Sequence, residues 1–155
     1  MLTHGPETTM TARQHTAVRR ATLPSNQARA WIRRTCDEVA ASLYHRGIVA
    51  AGYPFARLRP RPGHRVEVEA GIPTTAAVGA EDGIEPSVLP GGPAVWIRYV
   101  GPADQVEQAY QAIGEWLQDE RVRGAEEAWE IYRDLPIGDQ RRARTEVIQP
   151  IAAAR

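Results

Sequence analysis

The sequence has no lysine, a single cysteine (Cys36), one phenylalanine and two methionines. One cysteine excludes an internal disulfide and offers no metal-ligand spacing. His4, His15, His45 and His64 are scattered at no ligand spacing either, so neither a metal nor another cofactor is expected. No apolar run approaches the roughly 18–20 residues of a membrane span. The opening segment MLTHGPETTMTAR lacks an apolar signal stretch. These absences predict a cytoplasmic protein with no membrane partner. The 19 basic residues, all arginine, cancel 19 acidic ones, and no basic block stands out. That balance argues against a nucleic-acid-coating role. No G-x-S-x-G, Walker or G-x-G-x-x-G pattern occurs.

What is present is enough for one globular domain. A chain of 155 residues buries its core without staples, covering roughly 68–70% of the surface its unfolded form exposes. Residues 1–11 mix Thr, Gly, Pro and His without periodicity and are expected to form a disordered leader, as 152–155 form a tail. Rough alternation over 12–23, closed by Pro24, predicts a strand. Ser25 then caps a helix whose Ile32, Cys36, Val39 and Leu43 share one face, with Arg46-Gly47 as its stop. Residues 53–59 and 65–72 read as a hairpin, and 85–89 as an extended piece. The plan then repeats. AVWIRYV (94–100) is a strand, and Asp104 and Glu107 are spaced as a capping box. Val106, Ala109, Tyr110, Ile113, Trp116 and Leu117 make a helical stripe ending near Gly124, and 129–134 and 145–151 are the closing strands.

Aligning the halves matches Pro24 with Pro102, Tyr53 with Trp129, Phe55 with Ile131, Arg57 with Arg133, Pro60 with Pro136, Glu69 with Glu146 and Pro73 with Pro150, at offsets of 76 to 78. The constant order predicts an internal duplication. The expected fold is α+β: βαββ units at about 12–73 and 94–151, joined by a 74–93 linker and related by a pseudo-twofold axis. The sheet is antiparallel, with helices on one side and a central ligand groove.

The residues AVWIRYVGP, a helix running to EWL, then WEIYRDLP and TEVIQPI, with AGYPFARLRP and VEVEAGIP in the first half, resemble the GyrI-like small-molecule-binding domain, also the effector-binding part of AraC- and MerR-type regulators. The resemblance spans about 12–151. It implies a hydrophobic cleft that takes bulky, often cationic, drug-like molecules around a buried glutamate. Some relatives in that family are hydrolases that open cyclopropane-bearing DNA-alkylating natural products. Leu58 and Ala103 stand where the family usually has tyrosine.

In WEIYRDLP a strand puts Glu130 and Tyr132 on one face and Trp129 and Ile131 on the other, and either face is open to be the groove. The resemblance selects Glu130. A carboxylate in an aromatic cleft loses hydration, so it favours a cation that returns the missing charge, and aromatic faces add cation–π attraction of roughly 0.5–2 kcal/mol each. The plain alternative is an exposed strand glutamate paired with an arginine. Trp31, Trp116 and Tyr110 read as helix packing. Trp96 faces the groove if Val95, Ile97 and Tyr99 meet the helix, and Tyr53 and Trp129, matched in the repeat, are either both walls or both packing. Glu69 and Glu146 are a second acid for acid–base work or a solvated strand face. Arg141-Arg142-Ala143-Arg144 reads as a solvated turn.

The expected function is a stand-alone ligand-binding module, a sensor or resistance factor whose partner is a lipophilic small molecule. It is expected to be a monomer or weak dimer, and its leader is too short for a DNA-reading helix-turn-helix. A cyclopropanoid hydrolase using Glu130 and Tyr132 as catalytic residues is the alternative. A gyrase-inhibitor-type interaction comes last.

Overall fold

The computed structural model describes residues 1–134 and 138–152. Pro136, matched above with Pro60, and residues 153–155 of the expected tail lie outside them. The principal elements in chain order are β1 (Leu2–Thr11), β2 (Gln14–Pro24), α1 (Ala28–His45), β3 (Phe55–Arg61), β4 (Arg65–Pro73), β5 (Glu85–Leu89), β6 (Gly92–Val100), α2 (Glu107–Glu120), β7 (Ala128–Tyr132) and β8 (Arg144–Pro150). They form two compact units, Ala12–Gly91 and Met1–Thr11 with the chain from Gly92 onward. Among the described residues no helix is long and apolar enough to cross a membrane.

In the first unit β2 is flanked by β5 and β4, and β3 completes an antiparallel sheet ordered β5-β2-β4-β3. The stripe read from the sequence is the buried face of α1: Ile32, Cys36, Val39 and Leu43 are all buried. Val39 and Leu43 pack with Ala17, Ile72, Val78 and Ile84. Gly71 in β4 is required by closeness, since a Cβ there would lie 1.9 Å from the Ala17 carbonyl oxygen of β2. The helix begins differently from expectation. Ser25 does not cap it; a 3-10 turn at Ser25–Gln27 leads into α1, and the Ser25 hydroxyl donates to the His64 carbonyl instead.

The second unit is an antiparallel sheet ordered β1-β6-β8-β7. Its core is Val95, Ile97, Tyr99, Val106, Ala109, Ile113, Ala128 and Val147, with Tyr110, Trp116 and Leu117 of α2 packed against it. The expected Asp104/Glu107 capping box is not formed, as α2 too comes after a 3-10 turn without a side-chain cap. It ends at Arg121 in a left-handed conformation, φ 56°, rather than near Gly124. The expected disordered leader is corrected outright. Residues 2–11 are strand β1, hydrogen-bonded along β6 with two irregularities in register. Its side chains are mostly exposed on both faces, which removes the alternation by which sequence reveals strands. Backbone pairing to β6 is what orders it.

The two units share one internal plan. In each, the first strand pairs with the last strand of the βαββ run, and an extra edge strand covers its other side: β5 comes later in sequence in the first unit, and β1 comes from the chain's beginning in the second. Arg20 opposite Glu69 in β2–β4 has its equal in Arg98 opposite Glu146 in β6–β8, and both are ion pairs. With Glu69 matched to Glu146, Gly71 falls on Ile148. Their partners, Phe55 and Trp129, are then the equivalent aromatics. This corrects the Tyr53–Trp129 match. Strand β3 starts at Phe55, two residues later than expected, and Tyr53 sits in the preceding loop, 45% exposed.

Candidate functional site

The site is built on strands β6, β7 and β8 and helix α2 of the second unit. Strand β7 alternates, and its cross-strand register fixes which side each residue takes: Glu130 stands opposite Val147 of β8, which stands opposite Ile97 of β6. Directly paired residues share a face. Val147 and Ile97 pack with Val106, Ala109 and Ile113, so Glu130 lies on the side that α2 covers. The next row on that face is Tyr132, Thr145 and Tyr99. Glu130 is fully buried, with 0% exposure.

Its carboxylate is held by two tyrosines. Tyr110, on α2, donates from its hydroxyl to Glu130 Oε2 at 2.5 Å, and Tyr132 donates to Oε1 at 2.9 Å. Both tyrosines are only half-buried. A buried carboxylate is tolerable when hydrogen-bond donors replace the water it lost, and here each oxygen accepts from a phenol. Tyr110 was missed as a site residue. Its place in the apolar stripe of α2 is the signature of packing, and nothing in the spacing signals a hydroxyl aimed at a strand twenty residues on.

The structure brings Glu130 and Tyr132 together and puts Trp96 and Trp129 on the other face of their sheet. Trp129 pairs with Ile148, which pairs with Trp96, so both tryptophans lie on the sheet face opposite Glu130. Val95, Ile97 and Tyr99 do meet the helix, but Glu130 shares their side of the sheet rather than that of Trp96. Trp129 is buried, 3% exposed. Trp96 stacks on His4 at 6.1 Å between centroids, with the Arg98 guanidinium 6.0 Å from its ring. Tyr53 belongs to a loop of the first unit.

Glu146 does not join Glu130 as a second acid. It stands opposite Ile131 and Arg98 on the outer face, accepting from Arg98 at 2.9 Å and Arg133 at 2.8 Å. Burial pushes its carboxyl upward, but the two arginine hydrogen bonds outweigh this and hold it below the usual carboxylate range. Glu69 is likewise engaged, by Arg20 and by the Ser87 hydroxyl. The basic cluster is tied up locally, Arg144 on Asp134 and Arg141 on Asp139. Cys36 is buried, and burial raises its thiol to about 12, with Asp37 adding to the effect, so it is no nucleophile. Among the described residues no group of three or more His, Cys, Asp and Glu could hold a metal ion.

The first unit has no equivalent of this cluster. By the matched register Ala56 stands where Glu130 does and Leu58 where Tyr132 does.

No curated protein sequence matches the chain. Among solved structures, the EcmrR C-terminal domain superposes with a TM-score of 0.82 at 18% identity, covering 96% of this chain and 97% of that one. In the EcmrR–DNA transcription complex the chain spans 57% of the EcmrR subunit's length, at 17% identity and a TM-score of 0.78. SAV2435 bound to tetraphenylphosphonium is similar at 11% identity and a TM-score of 0.69, with 94% of this chain and 93% of that chain covered. A hydrolase encoded by lin2189 from Listeria innocua matches at 10% identity and a TM-score of 0.64, over 94% and 91%. These likenesses establish the mixed α+β fold. The sequence profile of the GyrI-like small molecule binding domain matches residues 9–152, nearly the whole described chain, and the protein belongs to that family.

Proposed function

We propose that this protein captures bulky lipophilic, aromatic or cationic compounds beside Glu130, with Tyr132 and Tyr110 as the ligand-facing groups. The observation that carries the reading is a fully buried carboxylate held by two neutral phenols that reach toward solvent. The tyrosines spread the carboxylate's charge without cancelling it. A lipophilic cation is the species that gains most from such a place, because it surrenders little hydration and meets a negative charge and aromatic faces at once. Family membership and a relative solved with tetraphenylphosphonium support the same class of ligand. Titration calorimetry with tetraphenylphosphonium tests it. A dissociation constant in the low-micromolar range is expected, roughly −8 kcal/mol; no heat and no stabilisation at millimolar ligand would refute it.

A hydrolytic role is the second reading, favoured by the same cluster and by the similarity to a Listeria innocua hydrolase. Glu130 would take a proton from water while the water oxygen bonds to a strained cyclopropane carbon, and the ring carbon that leaves would be protonated in turn. Mass spectrometry after incubation with a cyclopropane-bearing alkylator separates the readings: sub-stoichiometric protein yielding the water adduct marks an enzyme, and binding without product marks a receptor.

A further inference from the structure

We infer that the Glu130 site selects cations that carry no N–H donor over protonated amines of the same body, and that Tyr110 and Tyr132 are the residues that set this preference. The inference rests on the cation-binding reading above and deepens it. Glu130 is 0% exposed, whereas Tyr110 and Tyr132 are partly exposed, and their hydroxyls occupy different oxygens of the carboxylate. A ligand arriving from solvent therefore meets phenol rings and hydroxyls before it meets a carboxylate oxygen.

The consequence differs between two kinds of cation. A quaternary or charge-delocalised cation interacts with Glu130 through space and with the rings through their faces, and needs no direct contact. A protonated amine arrives with an N–H that water had satisfied. Because Glu130 is 0% exposed, the amine can donate to either oxygen only by pushing aside a tyrosine whose hydroxyl makes a charge-assisted hydrogen bond to it. If it donates to a phenol oxygen instead, a neutral acceptor replaces the waters it gave up. Both routes penalise the amine and leave the quaternary cation untouched. The positions matching Glu130 and Tyr132 in the first unit hold Ala56 and Leu58, so this discrimination is confined to the second unit.

The experiment uses a matched pair on the intact protein: diphenhydramine, a diphenyl tertiary amine protonated at neutral pH, and its N-methylated quaternary form. Calorimetry on the wild type is expected to give the quaternary form about tenfold tighter binding, which is about 1.4 kcal/mol. Tyr132→Phe removes one hydroxyl, bares a carboxylate lone pair to the amine, and is expected to bring the ratio close to one. Tyr110→Phe is the second variant, carrying the same expectation should the first not fold, as judged by circular dichroism. Equal or tighter wild-type binding of the amine overturns the inference while leaving cation capture standing. A ratio unchanged in both folded variants overturns the role of the tyrosines. If neither cation binds the folded wild type, the cation-binding reading has failed, and this inference with it.

Discussion

Replacing Glu130 by Gln removes the charge and keeps the shape, and the structure fixes what each part of that change does. Both Glu130 oxygens now accept from phenols, at 2.5 Å and 2.9 Å. Charge-assisted bonds of this kind are worth about 1.5–3 kcal/mol, and their neutral counterparts about 0.5–1.5. Glutamine keeps one acceptor and places an NH2 group where the other oxygen was, so one tyrosine must rotate its hydroxyl to accept. Two bonds are weakened by about 1 kcal/mol each, and relief from burying a charge offsets much of that. The expected net change in folding stability is within about 1 kcal/mol of zero. Binding of tetraphenylphosphonium, which makes no hydrogen bond to Glu130, should weaken by about 1.5–3 kcal/mol, the through-space attraction of unit charges roughly 6–10 Å apart at an effective dielectric constant of about 20, or about 10- to 150-fold in Kd. A neutral aromatic of similar size should lose less than about threefold, because it makes no use of the charge. Calorimetry for the two ligands and urea unfolding for stability are the measurements. Cation affinity that is unchanged in a folded Glu130→Gln protein, or an equal loss for the neutral ligand, would refute the assignment of Glu130 as the anchor.

Two further outcomes concern the framework. Glu146 has its folded carboxyl held low by Arg133 and Arg98, so it stabilises the fold above its unfolded value of about 4.3 and loses that contribution as pH falls through the lower folded value. Glu146→Gln should therefore be less stable than wild type by about 1–3 kcal/mol at neutral pH, with the gap closing below about pH 4 in urea melts; a gap independent of pH would contradict the pairing. Gly71→Ala would set a methyl 1.9 Å from the Ala17 carbonyl oxygen. Since β2 and β4 must part to admit it, a loss of about 3 kcal/mol or more is expected in thermal melts, and a near-neutral change would show that the strands are not so close.

The strands and helices with one buried face were legible in the sequence because burial leaves a period. The α1 stripe and the alternation of β4 are cases in point, and the 85–89 segment matches β5 at both ends. The orientation of β7 was not legible. Alternation separates Trp129 and Ile131 from Glu130 and Tyr132 but does not say which pair looks at the helix, and the larger apolar side chains sit on the side away from it. Only the pairing of Glu130 with Val147, which packs among the residues of α2, settles the matter. Tyr110 was hidden for a related reason: a residue that packs with its ring and hydrogen-bonds with its hydroxyl reads as packing alone. Strand β1 left no period at all, since its order comes from a neighbour's backbone.

That strand has a consequence for how the protein is made. Thr11 and its partner Gly92 are 81 residues apart, whereas every strand pairing in the first unit lies within one continuous run of chain. During synthesis Ala12–Gly91 emerges as a block in which β2, β3, β4 and β5 pair with one another, so these pairings can form while the ribosome is still adding β6 and the remainder of the second unit. Residues 2–11 are translated well before their partner strand β6, and their pairing with it is a long-range closure, the slow kind of contact. The unit that holds Glu130 is thus assembled around a strand that has waited, exposed, while some eighty further residues were added. A nascent-chain measurement of protease protection would see the two ends of that interval as separate events.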